Sequence, residues 1–399
     1  MTANKEIDII LDKISQKTSF FAINPTNEVE EKKKFFRSNK YEPQFKYEPY
    51  KDNIEKMQER LSELSPDNTT LGKLLKQSVN LNYAMLNMLK YRESERFTRY
   101  SVLCYGLPEK WLVKEAKRLL KTLKPKKDRK ELTTKQIITR MKYAFFKYGF
   151  SWNIKEKDMA ASAAVKVAKK ELLIKKDEKY SSKFLKRLIV HEIGTHIVRA
   201  ENGGHQPFRI FERGLPNYLM TEEGLAVVNE EINNCLDNAI LRRYAARVVA
   251  VDMAQKYGFR KVYNTLRKYL DKELAWRTTV RVKRGLGDTS KPGGCTKDFA
   301  YLHGYYAVKK FIEEGKDINK LYYGKVGVQH VDLLDKIPDL IEPEYLPAFR
   351  YLKYFVEHFE DLLRSIIVLD IPPFNITYRL IKNNLGKINF NKLFNGNKR

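Results

Sequence analysis

Residues 184–197, FLKRLIVHEIGTHI, constrain this chain more than any other segment. Phe184, Leu185, Leu188, Ile189, Ile193 and Ile197 mark a buried helix. A buried helix carries His191, Glu192 and His196 only if those groups are satisfied, because unpaired polar groups are costly away from water. A metal ion satisfies them. Two histidines on one helix can ligate zinc, and a glutamate after the first can activate water. The spacing is unusual: His191 and His196 are five residues apart. At roughly 100° per residue, five steps leave the imidazoles roughly 140° apart around a regular α-helix. A single i→i+5 turn returns them to one face, and such turns gather at functional sites. We therefore predict a π-bulge across residues 193–195, eased by Gly194.

A third ligand should come from a following helix. The run GLPNYLMTEEGLAVVNEE offers one: Thr221 is a good N-cap for a helix carrying Glu222, Glu223 and Glu230. Taken alone, acids in the first turn of a surface helix would be explained by the helix dipole. Gly224 is expected to allow close approach to the metal helix.

The rest of the chain frames that segment. Residues 1–45 form a polar N-terminal segment with short helices, and 46–149 a helical region, with Leu71, Leu75, Val79, Tyr83, Leu86 and Leu89 at three- and four-residue steps. Thr133 and Thr134 can cap a further helix through Phe145. After Gly149 the style changes. Residues 150–154, 164–167 and 172–174 read as short strands. Helical patterns return at 181–201, 221–234, 238–257, 259–270, 297–314 and 345–366. Residues 277–283, RTTVRVK, read as a strand or extended segment before the loop GLGDTSKPGG. The boundaries drawn are 150–366 for a catalytic region and 367–399 for a C-terminal tail. The fold class expected is α+β, mostly helical, with a small sheet preceding the HExxxH helix.

Composition excludes some classes. No stretch approaches about 18 apolar residues, so no membrane span is expected. The N-terminus lacks the layout of a signal peptide. Three cysteines, far apart, argue against a disulfide scaffold and fit a reducing, cytoplasmic setting. Lys+Arg 76 against Asp+Glu 49 gives +27. Such a field would attract an acidic partner, although a general lysine bias gives the same pattern. No helix-turn-helix, zinc-finger or RNA-binding signature accompanies the charge, so a nucleic-acid partner is not expected.

HEIGTH followed by TEEGLA resembles the microtubule-associated tyrosine carboxypeptidase family, whose prokaryotic members were first labelled for a QEGLA motif. This chain has Glu222 where that label has Gln. The segments NGGHQPF (202–208), GLPNYL (214–219) and RVKRGLGDTSKPGGCTKD (281–298) extend the likeness. The resemblance implies a zincin-like zinc carboxypeptidase that removes a C-terminal residue; animal members trim tyrosine from tubulin tails. The lysine-rich style suits a prokaryotic member, for which tubulin is not the natural substrate. By position, His191, His196 and Glu223 match the ligands of one Zn2+, with Glu222 the second choice, and Glu192 matches the catalytic base.

In that reading two His and one carboxylate leave a fourth zinc position for water. Zinc lowers the water's pKa, and Glu192 takes its proton during attack on the scissile carbonyl. Tyr301, His303, Tyr305 and His205 are candidates for a further donor to the oxyanion. An exopeptidase must also read the terminal carboxylate, and one or two of Arg281, Lys283 and Arg284 are expected to form that clamp. The substrate expected is a peptide or protein C-terminal tail, with acidic tails favoured by the field. Three alternatives use the same residues differently: a zinc hydrolase of a non-peptide amide, a basic nucleic-acid-binding protein, or a regulatory protein with structural zinc, which His205 as a fourth ligand would mark.

Overall fold

The computed structural model describes residues 3–18, 20–125, 128–159 and 162–347. The tail from 367 and nearly all of the helix expected at 345–366 lie outside the described residues. The chain groups into two units, one of Lys130–Leu185 and one of residues 3–129 with 186–347.

The larger unit begins with helices. Helix α1 (Ala3–Lys17) buries Ile7, Leu11 and Ile14, spaced four and three residues apart. Helix α2 (Thr70–Lys90) starts where the Thr69 hydroxyl accepts the Gly72 N–H at 3.1 Å. It packs on α1 and on α3 (Arg96–Tyr105) around Leu71, Leu74, Leu75 and Phe97. Helix α4 (Lys110–Thr122) buries Leu112, Val113, Ala116, Leu119 and Leu120.

The smaller unit holds the sheet. Helix α5 (Thr134–Tyr148) opens on a reciprocal capping box between Thr133 and Gln136 and closes at Gly149, whose φ of 70° suits a residue without a side chain. Strands β1 (Asn153–Lys157), β2 (Ala163–Lys166) and β3 (Glu171–Lys175) form a sheet in the order β1-β3-β2. β1 runs parallel to β3, with Ile154 opposite Leu172, and β2 antiparallel to it, with Val165 opposite Leu172. Leu172, Leu173 and Ile174 are all buried, as a central strand requires. The strands at 164–167 and 172–174 thus stand close to where the sequence put them. The one read at 150–154 begins at Asn153, after Phe150 and Trp152 have turned into the core.

Helix α6 (Ser182–Leu188) leads into the HExxxH segment and α7 (Val198–His205) leaves it. Three long helices of the larger unit follow: α8 (Leu219–Ile232), α9 (Asn238–Ala254) and, after the glycine-rich loop, α11 (Ala300–Glu313). Before that loop lies α10 (Lys272–Lys283). The RTTVRVK run is therefore helical, which corrects the extended reading. Asp271 caps the helix by accepting the Leu274 N–H at 2.8 Å. The Thr278 and Thr279 hydroxyls donate to carbonyls four residues back. The β-branched residues suggested a strand, but burial of Ala275, Trp276, Thr279, Val280 and Val282 around the helix overrides that preference.

α8 and α11 cross at two glycines. A Cβ on Gly224 would stand 2.0 Å from the Gly304 carbonyl carbon, and one on Gly304 would stand 1.7 Å from the Met220 oxygen. Gly224 thus brings α8 against α11, not against the metal helix as the sequence suggested. Among the described residues, no helix is long and apolar enough to cross a membrane.

Candidate metal centre

Helix α6 passes at Leu188 into a π-helical stretch, Ile189–Ile197, of nine residues. The bulge expected at 193–195 is present and extends beyond both ends. The Thr195 hydroxyl donates to the Val190 carbonyl five residues back at 3.0 Å, and Asn229 of α8 donates to the same hydroxyl at 2.8 Å. These bonds support the wide turn from inside and from the neighbouring helix. On it, the His191 and His196 rings lie 4.9 Å apart between centroids, at 79°.

Each ring is held through its Nδ1. His196 Nδ1 lies 2.8 Å from Glu222 Oε1, and His191 Nδ1 lies 2.7 Å from Glu230 Oε1. The carboxylates are held in turn: Arg199 donates to Glu222, and Arg187 to Glu230 at 3.1 Å. A carboxylate on Nδ1 keeps the proton there and leaves Nε2 as a lone-pair donor. Both Nε2 atoms lie 3.9 Å from Glu223 Oε2. One ligand atom each from His191, His196 and Glu223 falls within 4.8 Å of the others. Glu223 Oε2 is buried and has no hydrogen-bond partner. A buried carboxylate oxygen left without a donor is costly, whereas a cation between it and two imidazole nitrogens would satisfy all three. That donor set suits zinc.

The surrounding charge favours a cation. Burial lowers the His196 pKa, but the hydrogen bond that its ring donates to Glu222 and the charges of Glu222, Glu223 and Glu192 outweigh it and raise it to about 9. Burial raises Glu222, yet Arg199 and His196 hold it at about 2. Glu230 is likewise held down, by Arg187 and His191 against burial. Glu192 is partly exposed beside His191, and among the described residues no hydrogen bond or ion pair engages its carboxylate.

Glu222, the second choice for the third ligand, is turned to His196 and Arg199. The first choice, Glu223, faces both rings. Sequence reasoning named Glu230 as a helix residue but gave it no role; it lies two turns after Glu223, on the same face of α8. Arg199, three residues after His196, and Arg187, four before His191, carried the same helical signal and were missed.

The other site residues spread more widely. Arg281 makes a two-pronged contact with Asp298, and Arg284 reaches the same carboxylate at 3.5 Å. Asp298 is buried, and these arginines hold it well below the usual carboxylate range against the desolvation that raises it. Lys283 is fully buried and donates to the Lys291 carbonyl; burial lowers its pKa to about 8. Tyr301 stacks on Tyr244 at 4.9 Å, and its phenol is raised by burial and by the charge of Glu223. The Tyr305 hydroxyl donates to Glu231 at 2.8 Å. His205 pairs with Glu344 at 3.0 Å and is outside the ligand group. His303 packs edge-on against Phe299. Of the residues expected around the substrate, the structure brings Arg281 and Arg284 together and sets Lys283, Tyr305 and His205 apart from them.

The fold and the site together define a helical α+β chain organised around an HExxxH segment. The family model described as microtubule-associated tyrosine carboxypeptidase matches residues 33–366, and the chain belongs to that family. It is 26% identical over 327 residues to microtubule-associated tyrosine carboxypeptidase 1 of Rattus norvegicus, which covers 78% of this chain and 61% of the relative. The Homo sapiens protein of the same name is 33% identical over 156 residues, 38% of this chain and 33% of the relative. The Mus musculus protein is 36% identical over 126 residues, 30% of this chain and 27% of the relative. The chain thus spans no more than 61% of the length of these relatives.

Proposed function

We propose that this chain is a zinc-dependent carboxypeptidase that removes the C-terminal residue from peptides or protein tails. The observation that carries the reading is the convergence of two imidazole Nε2 atoms, each with its Nδ1 committed to a buried carboxylate, on a buried Glu223 oxygen that lacks a donor. His191, His196 and Glu223 would hold the metal. Zinc, when bound, supplies Lewis acidity and acidifies water. Glu192, with its carboxylate unengaged, accepts the proton of the attacking water and returns it to the leaving amine. Glu222 and Glu230 fix the two rings. The names of the relatives support a free C-terminus as the target, with tyrosine the first residue to test. The net charge of +27 supports an acidic tail. Cys104, Cys235 and Cys295 are buried and outside any disulfide, which supports a cytoplasmic setting.

The test is zinc content and cleavage of a mixed library of peptides with free C-termini, for wild type and Glu192→Gln. The expected result is one zinc in both proteins and loss of a single C-terminal residue, slower in Glu192→Gln than in wild type by about a hundredfold or more. Absence of zinc, or equal cleavage by both, would overturn the reading. Zinc in both with cleavage by neither would point to a non-peptide amide or a structural metal.

A further inference from the structure

Several arginines around the candidate site are matched to acceptors. Arg199 has Glu222, Arg187 has Glu230, and Arg281 and Arg284 share Asp298. On α9, Arg242 donates to the carbonyls of Leu120, Leu123 and Tyr269. The next arginines along that helix differ. Arg243 and Arg247 are four residues apart and share a face. Arg243 Nε and Arg247 Nη1 are buried without a hydrogen-bond partner, and among the described residues neither side chain has an ion pair.

Their setting gathers positive charge, offset in part by Asp298, whose carboxylate feels Arg247 as well as Arg281 and Arg284. Burial, followed by the charges of Arg247, Arg187 and Arg277, pulls Arg243 down to about 10. The Arg247 guanidinium lies 4.4 Å from the Tyr301 ring centroid and 5.5 Å from that of Tyr244. Those rings are stacked, parallel within 7°, and the guanidinium is within cation–π reach of both. Two links tie this wall to the metal triangle. Arg187, whose charge reaches Arg243, donates to the Glu230 that holds His191. Tyr301, beneath Arg247, feels the charge of Glu223. Like charges partly withdrawn from water are unfavourable until an anion joins them. A carboxylate matches the two-pronged guanidinium.

We propose that Arg243 and Arg247 form a carboxylate-binding seat beside the metal triangle. Arg281 commits its fork to Asp298, and Arg284 reaches Asp298 and Asn24, so the carboxylate-reading role shifts to Arg243 and Arg247. The nature of the ligand rests on the peptidase reading. A carboxylate could come from the free C-terminus of the substrate or from a Glu or Asp side chain near the scissile bond.

The experiment measures binding of labelled peptides to the full-length Glu192→Gln chain, alone and combined with Arg243→Gln or Arg247→Gln. Four peptides differ only in a free or amidated C-terminus and in Glu or Gln at the preceding position. Each arginine change is expected to weaken binding about tenfold or more, only for peptides that carry the recognised carboxylate. If that group is the terminus, amidated peptides bind all variants alike; if it is the side chain, Gln peptides do. Sulfate provides a second readout without peptide, raising the melting temperature of wild type and not of the two variants. Arg247→Lys, which keeps the charge and loses the fork, replaces Arg247→Gln if the latter does not fold. The seat is overturned if both variants bind every peptide as the parent does, or lose all four equally, and sulfate stabilises them like wild type. A protein that neither binds nor cleaves any peptide, yet loses sulfate stabilisation in the variants, refutes the peptidase reading and keeps the anion seat.

Discussion

On one flank of the triangle His196 leans on Glu222, and Glu222 on Arg199; on the other, His191 leans on Glu230, and Glu230 on Arg187. The chemistry offered to the metal position is the same, an imidazole with its Nδ1 bound to a buried carboxylate. The anchoring differs. Arg199 is fully buried and also donates to the carbonyls of Leu321, Gly324 and Val326, so its flank is built into the scaffold around residues 321–326. The Arg187 side chain keeps 12% of its exposure and stands beside the Arg243 and Arg247 wall. One flank holds the site to the fold, and the other joins it to the surface where an anionic ligand would rest.

The contrast predicts unequal stability with equal metal chemistry. Arg199→Met should cost about 3–5 kcal/mol, because it strands Glu222 and three buried carbonyls. Arg187→Met should cost less, about 1–3 kcal/mol. Urea denaturation of the two variants measures this, and equal losses would abolish the distinction. Next in size is the effect on the metal. Glu222→Gln and Glu230→Gln should each weaken zinc binding by about 10- to 100-fold, to a similar extent, since each releases one Nδ1. Competition with a chromophoric chelator reads this directly; a variant that binds zinc like wild type would remove its carboxylate from the support of the site. The smallest change falls between the flanks. Thr195→Val keeps the shape and removes the hydroxyl that joins Val190 to Asn229, and should cost about 1 kcal/mol by thermal melting. A cost near zero would mean that the π-turn holds without its internal bond.

Much of the centre could be read along the chain. His191 and His196 at a spacing of five required a widened turn, and the nine-residue π-helix supplies it. Asn229, which bonds Thr195 from another helix, supports that turn in a way no local pattern reveals. The helices of 181–314 were legible because buried residues recur at helical intervals. The error at 277–283 arose where β-branched residues form a helix buried around most of its circumference. Burial of that extent leaves no alternation to distinguish helix from strand.

The sequence by itself determined which chemical groups gather at the centre and that two imidazoles share a face, because residue type and backbone period act over a few positions. It also marked Gly224 as a site of close approach. Only the tertiary structure decided what Gly224 approaches, that Glu223 faces both rings while Glu222 and Glu230 support them, and that Asp298 occupies Arg281 and Arg284. Those outcomes depend on which helix lies opposite. A charged side chain takes its role from the partner that long-range packing brings within reach, and that partner is distant in the chain.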